Sequence, residues 1–200
     1  MAGPSPARRR AGSGSLTVKA YDPRALRLGV VVVAVAAQVW PLLALTVLTL
    51  GAAVAWSAAS GDRVILAVAL AFTRTVVLGL VGAFALHEAA HVLVLRRVAT
   101  VTQIVLDRTA WRLSVIPVGT ISPRQSAAVA VAGPAACVLV GAALWLTRVD
   151  GWLAWWFLAH ALFLLPVFGD GRALVSALWR WRSSDLTAPE ESRNPAPTHR

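Results

Sequence analysis

Long apolar runs separated by short polar breaks dominate this sequence. A helix needs about 20 apolar residues to cross the hydrocarbon core of a bilayer. The pattern predicts membrane spans at about residues 28–59, 76–95, 127–146 and 152–168. The first run is longer than one perpendicular crossing needs and contains Pro41. We therefore expect a tilted or kinked helix there.

The second span has an apolar lead-in of its own. Residues 64–72 are apolar and are followed by Arg74. We place the long side chain of Arg74 near the membrane surface, where its charge can stay hydrated. Residues 76–95 then form the crossing, and Arg96 and Arg97 end it.

The spacing of apolar residues changes between the second and third spans. Residues 101–116 are rich in β-branched side chains, and apolar and polar positions alternate near their end. Alternation of this kind predicts two short strands, which we expect to turn at residues 107–109. Pro117 and Gly119 should break the structure after them. The predicted fold class is an all-α transmembrane bundle of four spans, with a small β-hairpin between spans two and three.

Polar and basic segments flank this bundle. The sequence predicts a disordered basic tail at residues 1–23, a transmembrane domain at residues 24–182 and a second disordered tail at residues 183–200. Residues 169–172 predict a polar loop, and the Trp- and Arg-bearing stretch after it predicts a short interfacial helix.

Composition supports a membrane protein and gives it an orientation. Of 200 residues, 58% are hydrophobic and 14% are charged, with a net charge of +10. The basic residues flank the apolar runs instead of lying among aromatic residues on one face, so the charge predicts contact with a lipid bilayer and not with nucleic acid. Their distribution predicts a multi-pass cell-membrane protein with both termini cytoplasmic. The Ala-, Val- and Arg-rich composition is typical of GC-rich bacterial coding.

The second span carries ionisable residues where they are costly. His87, Glu88 and His91 lie near its end, and polar groups inside a membrane usually mark a functional site. Residues four apart share a helix face with Cβ atoms about 6 Å apart, so His87 and His91 can hold one zinc ion. Glu88, one step round the helix, can accept a proton from water that the metal activates. The alternative is that both histidines bond to neighbouring helices without a metal.

The predicted topology brings a third ligand to the same depth. Span two runs toward the cytoplasm, so His91 lies roughly 8 Å and His87 roughly 14 Å from its cytoplasmic end by helical rise. Span four runs the same way and delivers Asp170 to that side. Two histidines and a carboxylate are a ligand set of catalytic zinc, in which the fourth position stays open for water.

Three ordered motifs carry a resemblance to a known family. HEAAH at residues 87–91, AGPAACVLV at 132–140 and LLPVFGDGRAL at 164–174 resemble the site-2 protease family of intramembrane zinc metalloproteases. The resemblance covers residues 76 to about 174. The predicted hairpin matches the family's surface hairpin, and we expect a minimal form without a PDZ or nucleotide-sensing domain.

The resemblance implies a specific chemistry. It implies zinc ligands at His87, His91 and Asp170 and a general base at Glu88. The protein would then be a zinc metalloendopeptidase that hydrolyses peptide bonds of transmembrane protein substrates and needs one Zn²⁺ ion.

The fourth span departs from the family pattern. The family's Leu-Asp-Gly is Gly169-Asp170-Gly171 here, no Asn occurs in the span, and the usual prolines are reduced to Pro166. These departures leave open a non-catalytic metal-binding scaffold, or a degenerate protease that binds transmembrane helices. A zinc transporter is a weaker alternative, because its polar residues would repeat along a path through the bilayer.

Two further residues with metal-binding side chains occur in the spans. His160 lies about 15 Å from Asp170 by helical rise, which favours packing or a hydrogen bond between helices over a role as ligand. Cys137, the single cysteine, lies inside an apolar run. Its isolation excludes an intrachain disulfide and indicates a packing residue instead of a cysteine-based metal site.

Overall fold

The protein is mostly helical with one small antiparallel sheet. This computed structural model describes residues 15–110 and 112–186. Its elements are β1 (Ser15–Tyr21), α1 (Leu28–Gln38), α2 (Trp40–Ser60), α3 (Val64–Arg74), a π-helical segment (Thr75–Gly82), α4 (Ala83–Leu95), β2 (Val101–Thr109), β3 (Leu113–Gly119), α5 (Pro123–Leu146), α6 (Gly151–Leu158), a 3-10 segment (Ala159–Leu164) and α7 (Gly169–Leu186). The predicted tails over residues 1–14 and 187–200 lie outside the described residues.

Among the described residues, three helices are long and apolar enough to cross a membrane. They are α2, the continuous helix Val64–Leu95 and α5. A fourth crossing is counted only when Gly151–Leu164 is joined to α7 across a bend of 41°. Length and composition therefore allow three or four spans, and the four-span bundle stays a prediction.

The first predicted span, residues 28–59, is two helices. α1 ends at Gln38 and α2 begins at Trp40, with Pro41 in the first turn of α2. Proline is tolerated there because the first N–H groups of a helix have no intrahelical partner. α1 is too short to cross a bilayer, and Val31 on it packs into the core below the sheet.

The lead-in and the second span form one helix of 32 residues, Val64–Leu95. Two contacts fix its middle to the start of α6. Arg74 pairs with Asp150 at 3.0 Å, and the Trp152 indole N–H donates to the Thr75 hydroxyl at 3.0 Å. Asp150 also accepts from the Leu153 N–H at the start of α6. Arg74 therefore lies level with the loop between α5 and α6.

The predicted hairpin is confirmed, within a larger sheet. β2 pairs antiparallel with both β1 and β3, so β2 is the central strand. β1 corrects the prediction of disorder, because Ser15–Tyr21 is ordered by pairing with residues far along the chain. The hairpin turns after Thr109, not at 107–109, and Trp111 lies outside the described residues.

β3 also runs further than the sequence indicates. Pro117 and Gly119, expected to break the structure, lie within it. Proline cannot donate to a sheet ladder, but an edge strand has one side where no donor is needed. β3 is such an edge strand, which explains why Pro117 is accommodated.

A hydrophobic cluster joins the sheet to the end of α4. It contains Leu26 and Val31 near α1, Val92 and Leu95 on α4, and Val98, Val101, Ile104 and Leu106 in and before β2. All eight side chains are buried, so the last turn of α4 is fixed by packing on both sides. The histidines of α4 lie directly before this fixed turn.

The polar stretch expected as a loop begins α7. Gly169 to Arg172 form the first turn of that helix, and α7 continues to Leu186, into the predicted C-terminal tail. Gly171 permits the arrangement, because a Cβ at this position would overlap the carbonyl oxygens of Leu164 and Leu165. The chain can therefore fold back on itself immediately before α7.

Substitution of Gly141 tests the close approach of α5 and α6. A Cβ there would lie 2.8 Å from the Leu158 nitrogen and 3.0 Å from the Ala154 oxygen. We expect Gly141→Ala to destabilise the protein by about 1–3 kcal/mol through overpacking, lowering Tm by about 2–10 °C in a thermal unfolding measurement in detergent. Gly51→Ala is the control, since nothing lies within 4 Å of a Cβ at that helical position. Equal Tm shifts for both variants would contradict the packing.

Candidate metal centre between α4, α5 and α7

Three predicted ligands meet at one point. His87 Nε2 lies 2.9 Å from Asp170 Oδ2, and His91 Nε2 lies 3.5 Å from Asp170 Oδ1. The two Nε2 atoms are 3.1 Å apart. The structure thus brings the two histidines of α4 together with a carboxylate that is 83 residues from His87 in sequence.

These separations are compatible with one shared ion, although His87 faces Oδ2 and His91 faces Oδ1 of Asp170. Zinc binds histidine nitrogen and carboxylate oxygen at about 2.0–2.2 Å in tetrahedral sites, which places neighbouring ligand atoms about 3.3 Å apart. The observed distances of 2.9, 3.1 and 3.5 Å bracket that value. The three side chains therefore fit a metal ion without a large rearrangement.

The hydrogen bond of His91 prepares it for this role. Its Nδ1–H donates to the Val129 carbonyl of α5 at 2.6 Å, so the neutral ring carries its lone pair on Nε2. A partner on the far nitrogen is a usual feature of metal-binding histidines, because it fixes the ring's tautomer and orientation. Pro134 lies further along α5, and its missing N–H removes the intrahelical partner of the Ala130 carbonyl, next to Val129.

Gly133 makes room for both imidazoles. A Cβ at this position would lie 2.6 Å from His91 Nε2 and 2.8 Å from His87 Nε2. Any side chain would therefore occupy the space into which the ring nitrogens point. α5 can pass this close to α4 only because residue 133 is glycine.

Asp170 enters from the first turn of α7. A carboxylate is favoured at a helix N-terminus, where backbone N–H groups give a partial positive charge. Its side chain keeps 23% of its surface exposed, whereas the side chains of His87 and His91 keep 5% and 8%. The centre is therefore enclosed on the histidine side and accessible beside the carboxylate.

Glu88, the predicted general base, follows His87 on α4 and is half-buried. Within residues 15–110 and 112–186, no ion pair or hydrogen bond engages its carboxylate. Its position beside the histidine pair and its lack of a structural partner leave the Glu88 carboxylate available to exchange a proton.

The structure adds residues that the sequence did not indicate. His87, Cys137 and His160 form a second group whose metal-binding atoms lie within 4.8 Å of one another. The isolation of Cys137 had argued against any metal site containing it, but a single thiol can join histidines from other helices. His160 reaches His87, with ring centroids 5.5 Å apart. The distance from His160 to Asp170 expected from helical rise did not predict this contact between His160 and His87.

Comparisons with known proteins add no relative. A scan against protein families, a search of curated proteins and a search of solved structures each found no match to this chain. Similarity to the site-2 proteases therefore rests on the three motifs.

Gly133 provides a test of the centre that leaves its ligands unchanged. We expect Gly133→Ala to push the Nε2 atoms apart and to lower zinc affinity by at least the 10- to 100-fold typical of altered ligand orientation. Chelator competition on purified protein measures this. Gly141→Ala is the matched control in the same helix, because its Cβ points at α6 and should leave zinc affinity unchanged. Equal zinc affinity for Gly133→Ala and wild type would contradict the proposed contact.

Proposed function

We propose that this protein is an intramembrane zinc metalloprotease that hydrolyses peptide bonds of transmembrane protein substrates. One observation carries the proposal: the Asp170 carboxylate of α7 lies within 3.5 Å of His87 Nε2 and His91 Nε2, on the α4 helix that also bears Glu88. The same residues complete the H-E-x-x-H pattern, in which two histidines hold zinc and the glutamate acts as base.

The type of ligand favours zinc over hard cations. Mg²⁺ and Ca²⁺ prefer oxygen ligands, whereas two imidazoles with one carboxylate suit zinc or ferrous iron. Glu88 directly after His87 matches the hydrolytic zinc pattern and has no part in an iron oxygenase triad.

Metal analysis of the purified protein should therefore find about one zinc per chain and little iron.

The three metal ligands and Glu88 have separate roles in the proposed reaction. His87, His91 and Asp170 would hold the ion, and water could reach them from the side where Asp170 is exposed. A zinc ion held by these residues would supply Lewis acidity, which lowers the pKa of a bound water and polarises a peptide carbonyl. Glu88 accepts the proton as the water oxygen attacks the carbonyl carbon. It then passes that proton to the amine as the C–N bond breaks.

Substrate entry is consistent with the sheet's position. A transmembrane helix hides its amides in internal hydrogen bonds, so it must unwind locally before hydrolysis. β3 is an edge strand that can pair with an extended segment by β-augmentation. Leu113, at the start of β3, packs against the cluster that contains Val81 and Ala85, which lie within about two turns before His87 on the same continuous helix. This contact places the hairpin beside the catalytic helix.

The orientation belongs to the same proposal. Four spans with both termini cytoplasmic put loops 60–63 and 147–151 on the outside and the segment after Arg96 on the inside. The Arg74–Asp150 pair supports one part of this arrangement, because it puts the start of the second crossing and loop 147–151 on the same side. The catalytic residues then lie near the cytoplasmic leaflet.

The altered motif around Asp170 favours one alternative, a metal-binding scaffold or degenerate protease that binds transmembrane helices without cleaving them. Its zinc site would be the same, so only turnover separates the two functions. A transporter is less consistent with the structure, since His87, Glu88, His91 and Asp170 gather at one depth.

Glu88→Gln separates binding from catalysis. The amide has the same shape but cannot accept the proton, so we expect cleavage to fall about 10²- to 10⁴-fold with zinc content unchanged. The measurements are zinc content and cleavage of a reporter transmembrane helix in proteoliposomes. His91→Ala is the paired control and should lose both zinc and cleavage. Equal cleavage by Glu88→Gln and wild type would remove the mechanism, and zinc without any wild-type cleavage would favour the scaffold.

Single cysteines test the orientation. Ser60→Cys should react with a membrane-impermeant maleimide in intact cells, whereas Arg97→Cys should react only after permeabilisation, because the two exposed positions lie on opposite sides in the proposed topology. Wild type is the control, since its Cys137 is fully buried. Labelling of Arg97→Cys in intact cells would reverse the proposed orientation.

A further inference from the structure

Two buried ring nitrogens behind the metal centre lack a partner among the described residues. They are His87 Nδ1 on α4 and His160 Nε2 in the 3-10 segment. The residues keep 4% and 3% of their surfaces exposed, and their rings are 5.5 Å apart between centroids. A buried polar atom without a hydrogen bond costs about 1–3 kcal/mol, so two such atoms side by side need an explanation.

The tautomers of the two rings are complementary. A His87 ring that binds zinc through Nε2 carries its proton on Nδ1 and can only donate there. His160 Nδ1 faces the Trp156 carbonyl at 3.0 Å, so its proton lies on Nδ1 and its Nε2 can only accept. One ring therefore offers the donor and the other offers the acceptor.

We infer that His160 is a positioning residue, which accepts a hydrogen bond from His87 Nδ1–H and thereby fixes the orientation of that zinc ligand. The inference rests on the proposed zinc site. The hydrogen bond from His87 to His160 would orient the His87 ring, as the bond to the Val129 carbonyl orients the His91 ring. One ring nitrogen of His87 and one of His160 lie within 4.8 Å of each other, and the ring centroids are 5.5 Å apart, so the two rings are close enough for a small movement to bring them to hydrogen-bond distance, about 3 Å.

A second metal ion at His87, Cys137 and His160 is less consistent with these contacts. The Cys137 thiol already donates to the Ala83 carbonyl at 3.3 Å. His87 would have to lose both ring protons to bind an ion through each nitrogen. The hydrogen bond needs neither change, and it leaves Cys137 as a packing residue.

The aromatic surroundings allow a well-matched substitution. His160 packs edge-on to Phe84, with centroids 5.1 Å apart, and lies 5.3 Å from Phe163. Phenylalanine at position 160 keeps an aromatic ring in this cluster but removes both the Nε2 acceptor and the Nδ1–H that donates to the Trp156 carbonyl. Glutamine can place an amide oxygen near the position of Nε2, so His160→Gln should restore what His160→Phe loses.

The experiment is chelator competition for zinc, with the absorption spectrum of the Co²⁺-substituted protein as a second readout. We expect His160→Phe to bind zinc about 10- to 100-fold more weakly than wild type and to alter the Co²⁺ d–d bands. His160→Gln should recover most of the affinity and the wild-type bands. If His160 served only in packing, His160→Gln would not bind zinc more tightly than His160→Phe.

Each outcome has a separate meaning. Wild-type affinity and an unchanged Co²⁺ spectrum in His160→Phe would overturn the inference while leaving the zinc site intact. Two zinc ions per wild-type chain, one of them lost in Cys137→Ser, would overturn it in favour of the second metal site. Absence of zinc from wild type would instead remove the proposed function. If His160→Phe fails to fold, His160→Leu replaces it, with the same expected loss and the same outcome against the inference.

Discussion

Polar side chains in an apolar bundle must satisfy one another, and this constraint organises the structure around α4. His87 and His91 are almost fully buried, where neither water nor an exposed surface can pair their ring nitrogens. Their partners therefore come from other helices: the Val129 carbonyl from α5 and the Asp170 carboxylate from α7. Segments from three parts of the chain meet because each supplies hydrogen-bond partners that lipid cannot provide.

Small residues allow this meeting, and packing holds it. Gly133 lets the α5 backbone approach the imidazoles, and Gly171 lets α7 begin directly against the segment that precedes it. On the other side, the cluster containing Leu95 and Ile104 fixes the end of α4 against the sheet. The ligands thus lie between a rigid platform and two close backbone contacts. Preorganisation of this kind is what a metal centre requires from its protein.

Local sequence predicted the features that depend on local spacing. The i, i+4 histidines, the apolar runs and the β2–β3 hairpin follow from periodicity and residue type, and Asp170 followed from topology and the family resemblance. β1 was missed because its hydrogen bonds come from β2, whose pairing with Ser15–Tyr21 no local pattern reveals. The approach of His160 to His87 was missed because helical rise assumes a straight helix, whereas the chain changes to a 3-10 segment and bends before α7.

The depth of the centre follows from where the helix is anchored. Arg74 and Thr75 contact the start of α6, and Leu95 is fixed by the sheet. The proposed crossing therefore extends from Thr75 to Leu95, about 30 Å at 1.5 Å per residue, which matches a hydrocarbon core. His91 and His87 then lie one to two turns from the end that carries Arg96 and Arg97. The proposed hydrolysis needs water, and at this depth the exposed side of Asp170 offers water a short path while the histidines stay enclosed.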